Sequence, residues 1–236
     1  MSAVVVLVAM AEEAEPFLAA ADEVSEPVTI GRAEHRGVQV GGHTIVLVRT
    51  GIGMVNAADA AHGAIARYGA EALLVSAGTA GGLGADIAVG EVVAGDAYIN
   101  VAADATTFGY VKGQVPKMPA VYTPPHDVAN AFVPSAPDGI IVRLGAIGSG
   151  EKFATTPVAL ELRHDFPSLL AVDMESAAIA QVAFNHGAPF VSVRAISDIA
   201  APDGTEFLTH VDDAASRSAH VVLAALPALA SLHTAM

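Results

Sequence analysis

Residues 3–9 read AVVVLVA, an unbroken apolar run rich in β-branched side chains, and the carboxylates Glu12 and Glu13 follow it closely. A continuous run of this kind is typical of a strand that is buried on both faces of a sheet. The pattern then turns helical over residues 12–21. It therefore predicts a strand–helix unit with acidic side chains at the carboxyl end of the strand.

The same alternation continues along the chain. Further strands are predicted at residues 43–50, 72–77, 91–100, 140–149, 169–172 and 189–196, and helices at 54–68, 156–164, 175–186 and 212–232. Residues 102–125 are rich in turn formers and are predicted to form a long loop, which in compact domains is usually functional or disordered. Strands that alternate with helices predict α/β layers with a mainly parallel core sheet. Since no stretch resembles a linker, residues 1–236 are predicted to form a single domain.

The composition limits the classes of function. Hydrophobic residues make up 53% of the chain and charged residues 15%, and the lack of cysteine excludes disulfides and thiolate chemistry. A formal net charge of −14 argues against a nucleic acid partner, which needs a basic surface. The apolar run at 220–233 contains Pro227 and is shorter than the roughly 20 residues of a membrane span. With no secretory signal at its start, the chain is expected to be cytoplasmic.

Polar and glycine-rich residues collect where predicted strands end, at 51–53, 78–82, 173–175 and 197–198. Ligands of open α/β sheets bind at the carboxyl ends of the strands, so this pattern predicts a small-molecule site. Residues 78–82 fit either an anion-binding turn or a plain tight turn, and lack the lysine of a P-loop. The carboxylates fit either acid–base chemistry or helix capping. The nine histidines lack metal-ligand spacing, and no metal is expected.

Arg194 is the least ordinary of these residues. It lies inside the predicted strand at 189–196, where it should be largely buried, and a buried guanidinium needs carboxylate partners. Glu13 and Glu175 are the candidates. Such a cluster fits an acid–base site, and a purely structural ion pair would satisfy the same physics.

Taken together, the motifs resemble those of the methylthioadenosine/adenosylhomocysteine nucleosidases of the nucleoside phosphorylase superfamily, nearly from end to end. They are AM at 9–10 with EE at 12–13, TGIGMVNAA at 50–58, TAGGL at 79–83, TTFGY at 106–110, GQVP at 113–116, VDME at 172–175 and VRAISD at 193–198. The resemblance implies a three-layer α/β/α nucleoside phosphorylase-like fold with a mixed central sheet. It also implies hydrolysis of the N-glycosidic bond of 5′-methylthioadenosine and/or S-adenosylhomocysteine in methionine salvage, without a cofactor.

The resemblance places the catalytic carboxylates at Glu13 and Asp198. Asp198, held by Ser197, would protonate N7 of adenine, and Glu13 would take a proton from the attacking water, placed by Arg194 and Thr79. Adenine leaves poorly unless it is protonated, so this role needs an aspartic acid whose pKa is raised by burial above about 3.9. Two groups whose pKa values are pushed apart are the usual signature of an acid–base pair.

The other implied residues contact the substrate or a second subunit. Glu175 would bind the ribose hydroxyls, Met174 would pack on the sugar, Phe153 would stack on adenine, and the backbone of Ala154 would read the edge of the base. The implied binding set also includes Ala80, Gly81 and Asp173, with Phe207 as a lid residue. The implied homodimer places three residues in the partner's 5′-substituent pocket: Phe108, Tyr110 and Pro116.

Some positions depart from the family pattern. Asp173 stands where glutamate is usual and Thr79 where serine is frequent, Ala105 and Ala154 are smaller than usual, and the segment 199–207 is shorter. These departures leave the 5′-substituent open. The alternatives are a phosphate-dependent purine nucleoside phosphorylase, a futalosine-type nucleosidase, and a nucleoside-binding sensor without catalysis.

Overall fold

The computed structural model describes residues 3–200 and 205–235. The strands are β1 (Val4–Val8), β2 (Glu23–Val24), β3 (Val28–Ile30), β4 (Ala33–Val40), β5 (His43–Arg49), β6 (Leu73–Gly82), β7 (Val92–Asn100), β8 (Val142–Ser149), β9 (Leu169–Asp173) and β10 (Phe190–Asp198). The helices are α1 (Ala11–Ala19), α2 (Met54–Tyr68), α3 (His126–Asn130), α4 (Thr156–Asp165), α5 (Ser176–His186) and α6 (Thr205–Ala235). The predicted strands and helices are confirmed to within a few residues, except at the end of β6, which extends to Gly82, and at the start of α6.

One mixed sheet contains all of these strands. Strands β5, β1, β6 and β10 are parallel neighbours, as a mainly parallel core requires. Strand β7 joins β10 antiparallel, β8 and β9 follow β7 in parallel, and the end of β9 pairs antiparallel with the end of β6. Strands β6, β10, β7, β8 and β9 thus close into a ring, and the mixed sheet expected from the resemblance is confirmed.

Side chains that alternate along β1 divide the core into two halves. Val4, Val6 and Val8 pack in a buried cluster with residues of α1 and α6. Val5 and Leu7 point to the other face and pack in a cluster with residues of α2 and α5. The apolar run at 3–9 is therefore buried on both faces because helices cover both sides of the sheet, which gives three layers.

Helix α6 begins at Thr205, not at residue 212 as predicted. By length and composition alone, the part from Thr205 to Leu232 could cross a membrane, contrary to the expectation from the shorter run at 220–233. A stripe of buried residues, which includes Ala215, Ala219, Val222 and Leu226, packs it against β6, β10 and α1. The helix covers the sheet as a core helix of a globular domain does.

Two other predictions need correction. Residues 78–82 belong to β6 and do not form a turn or an anion-binding loop, because β10 and β9 pair with them and continue the ladder. The antiparallel strands β2–β4 and the short helix α3 were not predicted. Residues 201–204 of the shortened segment at 199–207 lie outside the described residues.

Candidate active site

A cavity lies at the carboxyl ends of β1, β6, β9 and β10. The predicted site residues that line it are Glu13, Thr79, Ala80, Gly81, Phe153, Ala154, Asp173, Met174, Glu175, Ser197, Asp198 and Phe207. Ala9, Met10, Ile52, Lys152 and Val172 complete the lining. Residues that are far apart in the sequence thus meet where the strand-end argument placed them.

Glu13 is buried in the first turn of α1, and its carboxylate is held by four donors. Its Oε2 accepts hydrogen bonds from the backbone N–H of Ala9 at 2.7 Å and of Met10 at 3.2 Å. Its Oε1 accepts from the backbone N–H of Thr79 at 2.9 Å and from the Thr79 hydroxyl at 3.1 Å. These donors fix the direction of the carboxylate.

The lack of a side chain at Gly78 makes room for the Glu13 carboxylate. A Cβ atom at this position would lie 2.3 Å from Glu13 Oε1 and 2.8 Å from Arg194 Nη1. Both distances are shorter than real contacts of a Cβ, so any side chain here would displace the carboxylate or the guanidinium. The glycine therefore serves the close approach of these side chains to β6, a role that glycine often has inside strands.

Arg194 is fully buried among three carboxylates. Its Nε lies 2.9 Å from Asp173 Oδ2, its Nη2 lies 3.4 Å from Glu175 Oε2, and its Nη1 lies 4.0 Å from Glu13 Oε1. Its Nη2 also donates to the Ser76 hydroxyl at 2.7 Å. The predicted partners Glu13 and Glu175 are present, and the nearest partner, Asp173, was not anticipated. Arg194 lies behind these carboxylates and is not among the residues that line the cavity, and its predicted role in substrate binding stays a prediction.

Asp173 faces protein groups more than the cavity. Its carboxylate accepts hydrogen bonds from the hydroxyls of Ser149 and Ser176 and pairs with Arg194. The Ser149 hydroxyl also accepts from the backbone N–H of Ala177 at 2.8 Å. This network anchors the start of α5, and sequence patterns gave no signal for it because isolated serines have no characteristic spacing.

Glu175 belongs to the same cluster, and its carboxyl has a raised pKa. Its Oε1 accepts a hydrogen bond from the backbone N–H of Gly53 at 2.9 Å. Burial raises the pKa of Glu175 to about 7, although the Arg194 guanidinium opposes this shift. The charges of the neighbouring carboxylates Asp173 and Glu13 contribute to this rise. Glu175 is thus poised to carry a proton near neutral pH.

Asp198 lies at the end of β10, only 3% exposed. Its Oδ1 accepts the backbone N–H of Ala200 at 3.0 Å, and its Oδ2 lies 3.0 Å from the hydroxyl of Ser197. Burial raises the pKa of the Asp198 carboxyl above its usual value, these two hydrogen bonds oppose the rise, and the charge of Glu206 adds to it. A carboxyl with a raised pKa is the type of group that acts as a general acid.

Two aromatic rings close one wall of the cavity. The rings of Phe153 and Phe207 meet edge to face, with centroids 5.6 Å apart. Phe153 lies in the loop after β8 and Phe207 in the first turns of α6. An apolar ligand that is flat, such as a nucleobase, fits a wall of this kind.

The loop between β7 and α3 carries the residues predicted to reach a partner subunit. Phe108 ends a short 3₁₀ turn, and its side chain is 81% exposed. The loop is held to the body of the protein by the ion pair of Lys112 with Asp165. Tyr110 is half-buried and Pro116 exposed, and neither lines the cavity of its own chain.

Comparison with known proteins places the chain in a family. The sequence pattern of the phosphorylase superfamily matches residues 3–227, so the chain belongs to that superfamily. It is 37% identical over 224 residues to a 5′-methylthioadenosine/S-adenosylhomocysteine nucleosidase from Geobacillus thermodenitrificans, covering 93% of this chain and 94% of the relative. The corresponding nucleosidase from Chromohalobacter salexigens is 37% identical over 227 residues, with 94% and 95% covered. Within the superfamily, the chain belongs to the family of these nucleosidases.

Solved structures agree with this assignment. The nucleosidase from Neisseria meningitidis in complex with methylthio-immucillin-A is similar with a TM-score of 0.90 and 35% identity, covering 96% of this chain and 99% of that one. The nucleosidase from Colwellia psychrerythraea in complex with adenine has a TM-score of 0.90 and 31% identity, with 96% and 95% covered. A futalosine hydrolase from Helicobacter pylori, at 22% identity and a TM-score of 0.88, shares the fold.

Proposed function

We propose that this protein is an N-glycosyl hydrolase that cleaves 5′-methylthioadenosine and/or S-adenosylhomocysteine with water and releases adenine. The observation that carries the proposal is the pair of carboxylates at one cavity, Glu13 and Asp198. Glu13 is held by four hydrogen-bond donors, whereas burial raises the pKa of Asp198. This difference suits one residue to accept a proton and the other to donate one.

Asp198 acts on the leaving group. Its proton passes to N7 of adenine while the bond from the base to the sugar breaks, so that the electron pair of this bond leaves on a neutralised base. The sugar then carries positive charge in an oxocarbenium-like transition state. Ser197 and the N–H of Ala200 keep the Asp198 carboxyl in place during the transfer.

Glu13 acts on water. A water molecule forms the new bond to the anomeric carbon and gives one proton to the Glu13 carboxylate. The Thr79 hydroxyl, 3.1 Å from Glu13 Oε1, lines the same side of the cavity. Arg194 contributes from behind by fixing the three carboxylates around it.

The remaining lining residues bind the rest of the nucleoside. Glu175 binds the ribose hydroxyls, Met174 packs on the sugar, Phe153 stacks on adenine, and Ala154 reads its edge through the backbone. Ala80 and Gly81 form the floor of the cavity, Asp173 supports Arg194, and Phe207 covers the opening. All of these residues except Arg194 line the cavity.

We further propose a cytoplasmic homodimer that serves methionine salvage. The exposed Phe108, with Tyr110 and Pro116 on the same loop, would complete the 5′-substituent pocket of the partner. The exposed aromatic side chain of Phe108, on a loop that is anchored by an ion pair, supports this role because contact with a second subunit would bury its apolar area.

A phosphate-dependent phosphorylase is the principal alternative. It would need a cation to hold a phosphate dianion, whereas Arg194 is already paired with carboxylates and Glu13 would repel phosphate. The test is release of the free base from several nucleosides, futalosine included, with and without phosphate. We expect release that does not depend on phosphate, and formation of a ribose-1-phosphate product would contradict the proposal. Binding without turnover would instead favour the sensor.

A further inference from the structure

We propose that Thr156 is a positioning residue for Asp198: its hydroxyl holds the turn at Ala200 in a left-handed conformation that aims a backbone N–H at the Asp198 carboxyl. This inference rests on the proposed function, in which Asp198 is the general acid.

The backbone of Ala200 is strained. Its φ is +64°, in the left-handed region that residues with a Cβ atom rarely adopt. Ala200 is buried in the apolar cluster that also contains Ala154 and Ala159. Strain of this kind persists only where the surroundings hold it, and it concentrates at functional sites.

Hydrogen bonds hold both ends of this residue. The N–H of Ala200 donates to Asp198 Oδ1 at 3.0 Å, and its carbonyl accepts the Thr156 hydroxyl at 2.8 Å. The N–H of the preceding residue, Ile199, donates to Glu206 Oε2 at 3.0 Å. If Ala200 rotated out of the left-handed region, its N–H and its carbonyl could not both keep these partners.

Thr156 also connects the acid to the other half of the site. It is the first residue of α4 and follows the loop that places Lys152, Phe153 and Ala154 on the cavity. Its hydroxyl therefore links two segments: the loop that is proposed to bind adenine, and the turn at Ala200 that holds Asp198. Through this contact, the position of the base and the position of its proton donor are set together.

The charge around Asp198 gives the inference a second readout. The N–H of Ala200 stabilises the charged carboxylate and so lowers the pKa of Asp198, against burial and the charge of Glu206 on α6, both of which raise it. The other titratable groups at the cavity are Glu13, Asp173, Glu175 and Lys152. Release of the turn should therefore raise the pKa of Asp198.

The experiment compares Thr156→Val, Thr156→Ser and the double variant Thr156→Val/Ala200→Gly with the wild type. Thr44→Val, at an exposed position near the start of β5, is the matched control. We measure kcat and KM for adenine release from 5′-methylthioadenosine, the pH dependence of kcat, and thermal unfolding. The titration of Asp198 in ¹³C-aspartate-labelled protein adds a readout that needs no turnover.

Thr156→Val should lower kcat roughly three- to tenfold, the effect of one lost hydrogen bond, and move the alkaline limb of kcat to higher pH. Thr156→Ser keeps the hydroxyl and should behave as the wild type does. The double variant should recover most of kcat, because glycine adopts the left-handed conformation without the Cβ penalty.

The inference is overturned if Thr156→Val keeps the wild-type kcat and Asp198 titration, even with a lower Tm, or if the double variant is no better than Thr156→Val. A wild-type protein that releases no adenine would overturn the proposed function instead. In that case an upward shift of the Asp198 titration in Thr156→Val would still support the positioning of Asp198 by Thr156.

Discussion

Replacing Asp198 by asparagine tests the general acid with almost no change in shape. The asparagine oxygen can accept the N–H of Ala200, which now lies 3.0 Å from Asp198 Oδ1. Its amide can donate to the Ser197 hydroxyl, now 3.0 Å from Oδ2, and that hydroxyl can donate to the Ala80 carbonyl at 3.3 Å. The hydrogen bonds of the site therefore survive, and the variant lacks only the proton.

The expected loss of activity follows from this proton. General acid catalysis contributes typically about 10²- to 10⁴-fold, which corresponds to roughly 3–5.5 kcal/mol of transition-state stabilisation. Asp198→Asn should therefore bind 5′-methylthioadenosine in calorimetry but release adenine at least about 10²-fold more slowly. Asp127→Asn is the matched control, because its side chain on α3 is 81% exposed and lies outside the cavity.

The free energy of unfolding provides an independent measurement on the same variant. The raised pKa of Asp198 means that the folded protein binds this proton more tightly than the unfolded chain does. The contribution of Asp198 is therefore present at low pH and is lost as the pH rises from about 4 through the folded pKa. Asparagine does not titrate, so Asp198→Asn should match the wild type near pH 4 and gain stability relative to it at higher pH.

The competing view is that Asp198 merely caps the turn at Ala200. Asparagine caps nearly as well as aspartate, so under that view kcat would hardly change. A folded Asp198→Asn protein with near wild-type adenine release would refute the mechanism.

Three other variants test neighbouring parts of the site. Glu13→Gln should be inactive, and its free energy of unfolding should fall by about 1–3 kcal/mol, because either orientation of its amide points an NH₂ group at backbone donors. The double variant Glu13→Gln/Asp198→Asn should be little slower than either single variant in single-turnover assays. Gly78→Ala should lower both Tm and kcat, because its Cβ would overlap the Glu13 carboxylate. Unchanged Tm and kcat would show that Glu13 can move without loss of activity. Phe108→Ser should weaken the dimer in sedimentation and raise KM in an activity assay. A wild-type protein that is a monomer and stays fully active on dilution would rule the dimer out.

The sequence predicted the core strands because burial leaves a strong pattern. The run at 3–9 is uniformly apolar, and β1 is buried on both faces. The outer strand β4 (Ala33–Val40) was missed, because it includes Glu34, Arg36, Gly37 and Gln39 and its apolar positions do not alternate strictly. The glycines of residues 78–82 predict a turn because glycine ordinarily interrupts strands, whereas here Gly78 gives room to side chains from other elements.

The sequence predicted which strand ends form the site, but not the ion pairs and hydrogen bonds between its residues. Burial of Arg194 followed from its place in an apolar strand, and burial implied carboxylate partners. The choice of Asp173 as the nearest partner depends on how β9 and β10 approach each other, which no local pattern specifies. The contacts of Thr156 and Ser149 were likewise missed, because a hydroxyl that bonds across the fold leaves no periodic signal.

The ring of β6, β10, β7, β8 and β9 also determines where the protein opens first. Each of these strands has a hydrogen-bonded neighbour on both sides, so β10, which carries Arg194 and Asp198, is not an edge strand. Strand β2 (Glu23–Val24) lies at the far end of the sheet, is two residues long and pairs with β4. Native-state hydrogen exchange should therefore begin at β2 and β3 through local fraying, while amides of β10 exchange only when the whole domain unfolds. A short, acidic outer strand also resists recruitment into intermolecular β-structure, so the same arrangement protects the catalytic strands from aggregation.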